Sequence, residues 1–145
     1  MTRDLAWSII ERVTRGWVED EESSVVWSGV HDGKPGLRMR QGSRDFTTVW
    51  FEVGDRTVGL EAYLMPTPRY RKEEVYRQCL ARNLRSWPVW IAAGCEGDLY
   101  VLGRAPLDEF DDARLDEMVG GVYELVEIAF RALVTAGFTA RETSP

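Results

Sequence analysis

The strongest constraint on this chain is a set of strand-like runs whose two sides are both apolar, but in different ways. From Phe46 to Val53, alternate positions place Val49, Phe51 and Val53 on one side and Phe46, Thr48, Trp50 and Glu52 on the other. The next run repeats the arrangement, with Val58, Leu60, Ala62 and Leu64 opposite Thr57, Gly59, Glu61 and Tyr63. Later, Val89 and Ile91 flank Trp90, and Leu99 and Val101 flank Tyr100. Successive strand side chains point to opposite faces of a sheet. The aliphatic side is therefore expected to line a core. The aromatic and polar side needs a second cover or is a working surface.

The remaining elements follow from periodicity and turn residues. Leu5, Ile9, Val13 and Trp17, with Ala6 and Ile10, recur at helical spacing and predict a first helix over about 3–19. Four strands follow near 24–30, 36–41, 46–54 and 56–65, separated by Gly-, Asp- and Pro-bearing turns. Their short connections favour an antiparallel meander. Pro66-Thr67-Pro68 stops the fourth strand.

A second helix is expected over about 71–86, with Val75, Cys79, Leu80, Asn83 and Leu84 on its inner stripe and Trp87-Pro88 at its end. Two strands near 88–94 and 98–104 form a hairpin around Gly94–Asp98. A last helix over about 111–136 buries Leu115, Met118, Val119, Val122, Leu125, Val126, Ala129 and Leu133, with Gly137 as its stop. The expected fold is α+β, an antiparallel sheet in the order α-β-β-β-β-α-β-β-α. The chain reads as a single domain over 1–138 with a flexible tail over 139–145.

Charge and chemistry remove several functions from consideration. The formal charge of −6 opposes non-specific nucleic-acid binding. The distribution is uneven: 69–85 holds six basic and two acidic residues, and 108–127 holds eight acidic and one basic. The basic stretch, Arg69, Arg71, Arg77, Arg82 and Arg85, reads as a solvated side paired with the acidic last helix, within one subunit or across a dimer, or as a client-binding patch. No apolar run approaches the roughly 20 residues that span a bilayer. The N-terminal stretch lacks a signal-peptide pattern, and Cys79 and Cys95 read as free thiols, so a cytoplasmic protein is expected.

His31 is the only histidine and lies in a turn without a nucleophile elbow elsewhere. The acidic run from Asp108 lacks EF-hand spacing and reads as compensation of a helix dipole. One histidine and two cysteines are too few for a four-ligand zinc site, and the glycines lack phosphate-loop spacing. No catalytic residue, metal or cofactor is expected.

Three further segments carry a resemblance: Glu73-Glu74-Val75-Tyr76-Arg77 leading to Arg82-Asn83-Leu84-Arg85, then Glu96-Gly97-Asp98-Leu99-Tyr100-Val101, then Ala105-Pro106-Leu107-Asp108 before the last helix. With them, residues 59–136 resemble the YbjN-like proteins, bacterial relatives of the type III secretion chaperone fold. The resemblance implies a non-enzymatic protein- or peptide-binding module, commonly dimeric, without a cofactor. The expected partners are a polypeptide client or partner protein and a second copy of the chain, with no nucleic acid and no membrane.

By elimination, the aromatic strand side is the candidate binding surface, carried by Phe46, Trp50, Tyr63, Trp90 and Tyr100. Its alternatives are burial under a helix and a dimer interface. A dimeric regulatory or structural protein without a client is the second functional reading, and a small-ligand binder the third.

Overall fold

The computed structural model describes residues 1–140. Helix α1 (Arg3–Glu19) is followed by β1 (Val25–His31), β2 (Lys34–Arg40), β3 (Phe46–Val53) and β4 (Thr57–Met65). Helix α2 (Lys72–Asn83), β5 (Val89–Ala93), β6 (Leu99–Pro106) and α3 (Asp112–Phe138) complete the order. The six strands form one antiparallel sheet in the order β1-β2-β3-β4-β6-β5. This is the α+β arrangement expected from the alternation. Of the tail expected over 139–145, residues 141–145 lie outside the described residues.

Local chemistry starts the two long helices. Thr2 Oγ1 accepts from Leu5 N at 3.2 Å ahead of α1, and Asp111 Oδ1 accepts from Arg114 N at 2.8 Å ahead of α3. Asp32 and Gly33 take positive φ (51° and 75°) in the turn joining β1 to β2, the backbone that suits a tight hairpin.

The core lies on one side of the sheet. Leu37, Val49, Phe51, Val58, Leu60, Ala62, Leu64, Ile91, Leu99 and Val101 are buried there against Ile10, Leu115, Met118, Val122 and Leu133. Each large aliphatic or aromatic side chain so placed contributes about 1.5–3 kcal/mol. Helix α1 packs against β1–β3, α3 against β4, β5 and β6, and α2 against α3 and β5. The opposite side is half-buried or exposed along all six strands, except at Gly36, which lies under the Trp50 ring. Burial of the aromatic side under a helix, one of the readings of the sequence, does not occur.

Two helices present different stripes from those expected. On α1, Leu5 is exposed, while Thr14 is buried and donates its hydroxyl to Ile10 O at 2.7 Å. On α2, Leu80 and Leu84 point outward and only Val75 and Cys79 are buried. The helix is held by polar anchors instead. Asn83 Nδ2 donates to Ile91 O and Asn83 Oδ1 accepts from Ile91 N, both at 2.7 Å. The Ser86 hydroxyl donates to Val89 O. These bonds occupy outward-facing backbone groups of edge strand β5, a position otherwise open to pairing with another chain.

Gly137, expected as a helix stop, is instead buried in the last turn of α3. Its carbonyl accepts from Arg69 N and Tyr70 N, and a Cβ there would lie 3.1 Å from Pro68 Cβ. Close approach of the Pro68 segment is what requires glycine.

Candidate binding face

Register places the aromatic residues on the uncovered side of the sheet. Trp50 on β3 pairs with Gly36 on β2 and Glu61 on β4; Glu61 pairs with Leu102 on β6, and Leu102 with Trp90 on β5. A neighbouring row brings Tyr63 opposite Tyr100 across β4 and β6. Phe46 opposes Arg40 at the far end of β2 and β3.

Four of the five aromatic candidates border one groove. Phe46, Trp50, Tyr63 and Tyr100, with Arg44, Thr48 and Glu61, surround about 390 Å³ of open space. Phe46 is 47% and Tyr63 45% exposed, and Trp50 and Tyr100 are half-buried. Trp90 does not line this groove. It stands half-buried on the edge strand, separated from Trp50 by Glu61 and Leu102.

Glycine and ring packing fix the indoles. The Trp50 ring lies over Gly36, and Trp27 lies over Gly29. The two indoles meet edge to face with centroids 6.1 Å apart, and the His31 ring stands 5.9 Å from Trp50. Tyr63 and Tyr100 make a second edge-to-face pair at 5.6 Å. Burial, with Asp98 and Tyr100 nearby, pushes the Tyr63 hydroxyl above its ordinary pKa, so it remains a neutral donor near pH 7.

Trp27 and His31 are members of this surface that the alternation missed. A bulge between Val25 and Trp27 shifts the register of β1 and conceals which side Trp27 takes. The turn residue His31 contacts Asp32 at 3.4 Å and the Trp50 ring.

Cations surround the aromatic floor. Arg38 Nε donates to Thr48 Oγ1 at 3.1 Å, and its guanidinium stands 5.8 Å from the Phe46 ring centroid. Arg44 donates to the carbonyls of Tyr63 and Leu64 at 2.8 Å and stacks over Phe130 at 4.9 Å. Burial pushes its guanidinium below its ordinary pKa. A smaller groove of about 190 Å³ continues the face between Lys34, Trp50, Glu52, Glu61, Leu102 and Arg104. This surface offers apolar rings, carboxylates at Glu52 and Glu61, and cations that make no ion pair among the described residues.

A second apolar surface lies on the helical side of the sheet, and it includes Leu80 and Leu84, which were expected on an inner stripe. Leu80, Leu84 (85% exposed), Trp87 (68% exposed) and Ile128 project from the junction of α2 and α3. Beside them is a groove of about 270 Å³ between Arg82, Arg85, Trp87, Gly121, Glu124 and Leu125. The expected ion pairs between α2 and α3 are absent among the described residues. Arg77 pairs with Glu74 inside α2 at 2.6 Å, while α3 takes Arg12 at Asp112 and Arg114 at Glu117. Arg71 instead donates to the carbonyls of Ala136 and Thr139, tying α2 to the end of α3.

Among the described residues, no cluster of three His, Cys, Asp or Glu side chains is placed to hold a metal ion, and no helix is long and apolar enough to cross a membrane. Cys79 is buried and Cys95 exposed, both as free thiols.

The six-stranded antiparallel sheet with helices before, within and after its strands is a type III secretion chaperone-like fold. A solved chain from the heterodimeric ExoU–SpcU complex of the Pseudomonas aeruginosa type III secretion system shares it with a TM-score of 0.52. The likeness has 19% sequence identity and covers 64% of this chain and 87% of that one. The chain belongs to the YbjN family, described as "Putative bacterial sensory transduction regulator", whose profile matches residues 15–134.

Two mycobacterial relatives are similar as well. Uncharacterized protein ML2442 of Mycobacterium leprae is 35% identical over 114 residues, 77% of this chain and 62% of that protein. Uncharacterized protein Rv0487 of Mycobacterium tuberculosis is 36% identical over 86 residues, 59% of this chain and 47% of that protein. The chain thus spans about half to three-fifths of the length of these relatives.

Proposed function

We propose that this protein is a non-enzymatic binding module that holds a polypeptide segment against the uncovered sheet face. The observation that carries the reading is the division of the sheet: helices cover the aliphatic side, while Phe46, Trp50, Tyr63 and Tyr100 border an open groove. Aromatic and arginine side chains that lose water on association concentrate binding energy. The solved ExoU–SpcU neighbour is a complex of two different proteins, which agrees with partner binding by this fold.

The test is site-specific photocross-linking in the native host, with the reactive group at position 50 and a control at exposed Asp116 on α3. The reading expects one polypeptide to be captured at position 50 and not at 116. That polypeptide, once purified, should bind the wild type and lose binding to Trp50→Ala, whose far-UV circular dichroism remains that of the folded chain. Equal capture at both positions, or undiminished binding by Trp50→Ala, overturns it.

A second reading, a homodimer, is favoured by the α2–α3 surface. Arg82 of α2 and Arg85 just beyond it wall the groove on one side and Glu124 of α3 on the other, beside protruding Leu84, Trp87 and Ile128. A two-fold operation sets each arginine wall toward the opposite glutamate, the self-complementarity that an isologous interface needs. Arg82 Nε is buried with no hydrogen-bond partner among the described residues. The two readings use different surfaces, the open sheet face and the helical side, and are compatible.

A further inference from the structure

We infer that the segment held on the open sheet face is an extended peptide in which acidic side chains alternate with apolar ones. The inference rests on the proposed use of that face and adds the chemistry of its occupant.

The sign of the face is opposite to that of the protein. Lys34, Arg38, Arg40, Arg44 and Arg104 stand on or beside it against Glu52 and Glu61, with Asp32 at His31 and Asp98 near Tyr63 on its margin, in a chain of formal charge −6. Off the face, four arginines make ion pairs among the described residues: Arg3 with Asp55, Arg12 with Asp112, Arg77 with Glu74, and Arg114 with Glu109 and Glu117. None of the five face cations makes an ion pair among the described residues. Arg38 rests on a hydroxyl and a ring, and Arg44 on carbonyls, a hydroxyl and a ring. These partners orient the guanidinium groups and leave their charge uncompensated. A ligand carboxylate provides the missing term, and Arg presents a planar fork matched to it.

The apolar half of the occupant follows from the floor. Phe46, Trp50, Tyr63 and Tyr100 offer ring surface between the cations, so apolar and acidic side chains must both reach the same face. In an extended peptide, residues i and i+2 share a face. A strand lying across the sheet thereby alternates what it presents from row to row.

Other occupants fit less well. A second copy docked face to face would set five cations against five, and like charges in an interface cost several kcal/mol. A single-stranded nucleic acid also brings anions and stacking bases. Here, however, Trp50 has one ring face against Gly36, Trp27 stands edge-on to it, and Tyr63 and Tyr100 are committed to each other. Glu61 borders both grooves and opposes a phosphate chain.

The test is tryptophan-fluorescence titration of the full chain with three short synthetic peptides, alternating Leu with Glu, Leu with Gln and Leu with Lys, and with oligothymidylate. The Leu–Glu peptide should bind at least about tenfold more tightly than the other two, and its advantage should shrink as salt rises. Arg38→Gln with Arg104→Gln should abolish that advantage, and far-UV circular dichroism checks that the pair is folded. Equal or tighter binding of the Leu–Gln or Leu–Lys peptide overturns the inference, as does tighter binding of oligothymidylate or no binding of any peptide. In each of those cases cross-linking at position 50 still decides the use of the face, so the two failures are distinguishable.

Discussion

The Trp50 indole lies directly on Gly36: a Cβ built at position 36 would stand 2.4 Å from Trp50 Cε3 and 2.6 Å from Cζ3. The pair faces across β2 and β3, so the absence of a side chain on one strand sets the attitude of the ring on the next. Val49 O stands only 3.0 Å from the same point, and backbone cannot yield as a ring can.

Gly36→Ala is therefore expected to lift Trp50 off the sheet and to disturb its contacts with Trp27 and His31. Overpacking of this kind costs about 1–3 kcal/mol. Near-UV circular dichroism should lose intensity in the indole region while far-UV spectra are retained. An unchanged near-UV spectrum would mean that the ring does not rest on the glycine.

The two sides of β3 should respond differently to truncation. Phe51 is fully buried, and Phe51→Ala should cost about 3–5 kcal/mol. Trp50 is half-buried on the open side, so Trp50→Ala should cost only about 1 kcal/mol. Urea denaturation of both variants decides the matter. Equal losses would place Trp50 in a core rather than on a binding face.

Much of this division was legible because a strand has an invariant period of two. Val49, Phe51, Val53, Val58, Leu60, Ala62, Leu64, Val89, Ile91, Leu99 and Val101 are all buried on the side their alternation specified. Helices were read less well. Leu80 and Leu84 sit beside Cys79 and Asn83 on the helical wheel, and a stripe that broad leaves its centre undefined. The centre was fixed by Asn83, whose amide bonds to Ile91 and rolls the leucines outward, a long-range pairing that periodicity does not encode. Trp27 was hidden by the β1 bulge, and the Phe46–Tyr63–Tyr100 groove required the strand order, which β6 alters by inserting between β4 and β5.

Asn83 should consequently matter more than its polarity suggests. Asn83→Ala removes two hydrogen bonds to Ile91, each contributing about 0.5–1.5 kcal/mol, and uncovers the β5 edge. A loss of about 1–3 kcal/mol in chemical denaturation is expected, together with concentration-dependent association. Asn83→Asp should not rescue it, because a carboxylate cannot donate to Ile91 O. Rescue by aspartate would refute the strand-mimicking role.

Glu127 gives the fold an acid-sensitive joint. Its Oε1 accepts from Gln41 Nε2 at 2.6 Å, Gly42 N at 2.7 Å and Ser43 N at 2.8 Å, joining the β2–β3 connection to α3. These bonds, led by that from Ser43 N, hold its carboxyl below the ordinary glutamate value despite opposing desolvation. A depressed folded-state pKa gives stability that is complete above the unfolded value, about 4.3 for Glu, and is lost as pH falls through the folded value. Thermal melts across the acid range should show this decline, and Glu127→Gln should flatten it. An acid limb of unchanged slope in Glu127→Gln would remove Glu127 as its source.

The α2–α3 surface makes the last prediction, on assembly. Leu84, Trp87 and Ile128 are exposed in the single chain, so Leu84→Arg and Ile128→Arg leave the core intact. If this surface joins two copies, the wild type should sediment as a dimer and either variant as a folded monomer with an unaltered far-UV spectrum. Charge reversal refines the expectation. Arg85→Glu or Glu124→Arg alone should weaken the dimer, and the two together should restore it, because a two-fold axis presents each wall to its opposite. A wild type that remains monomeric at high concentration excludes the interface. A dimer that survives both leucine and isoleucine replacements must be held elsewhere, and the exposed β1 edge, with Val26 and Val30, is then the next surface to probe.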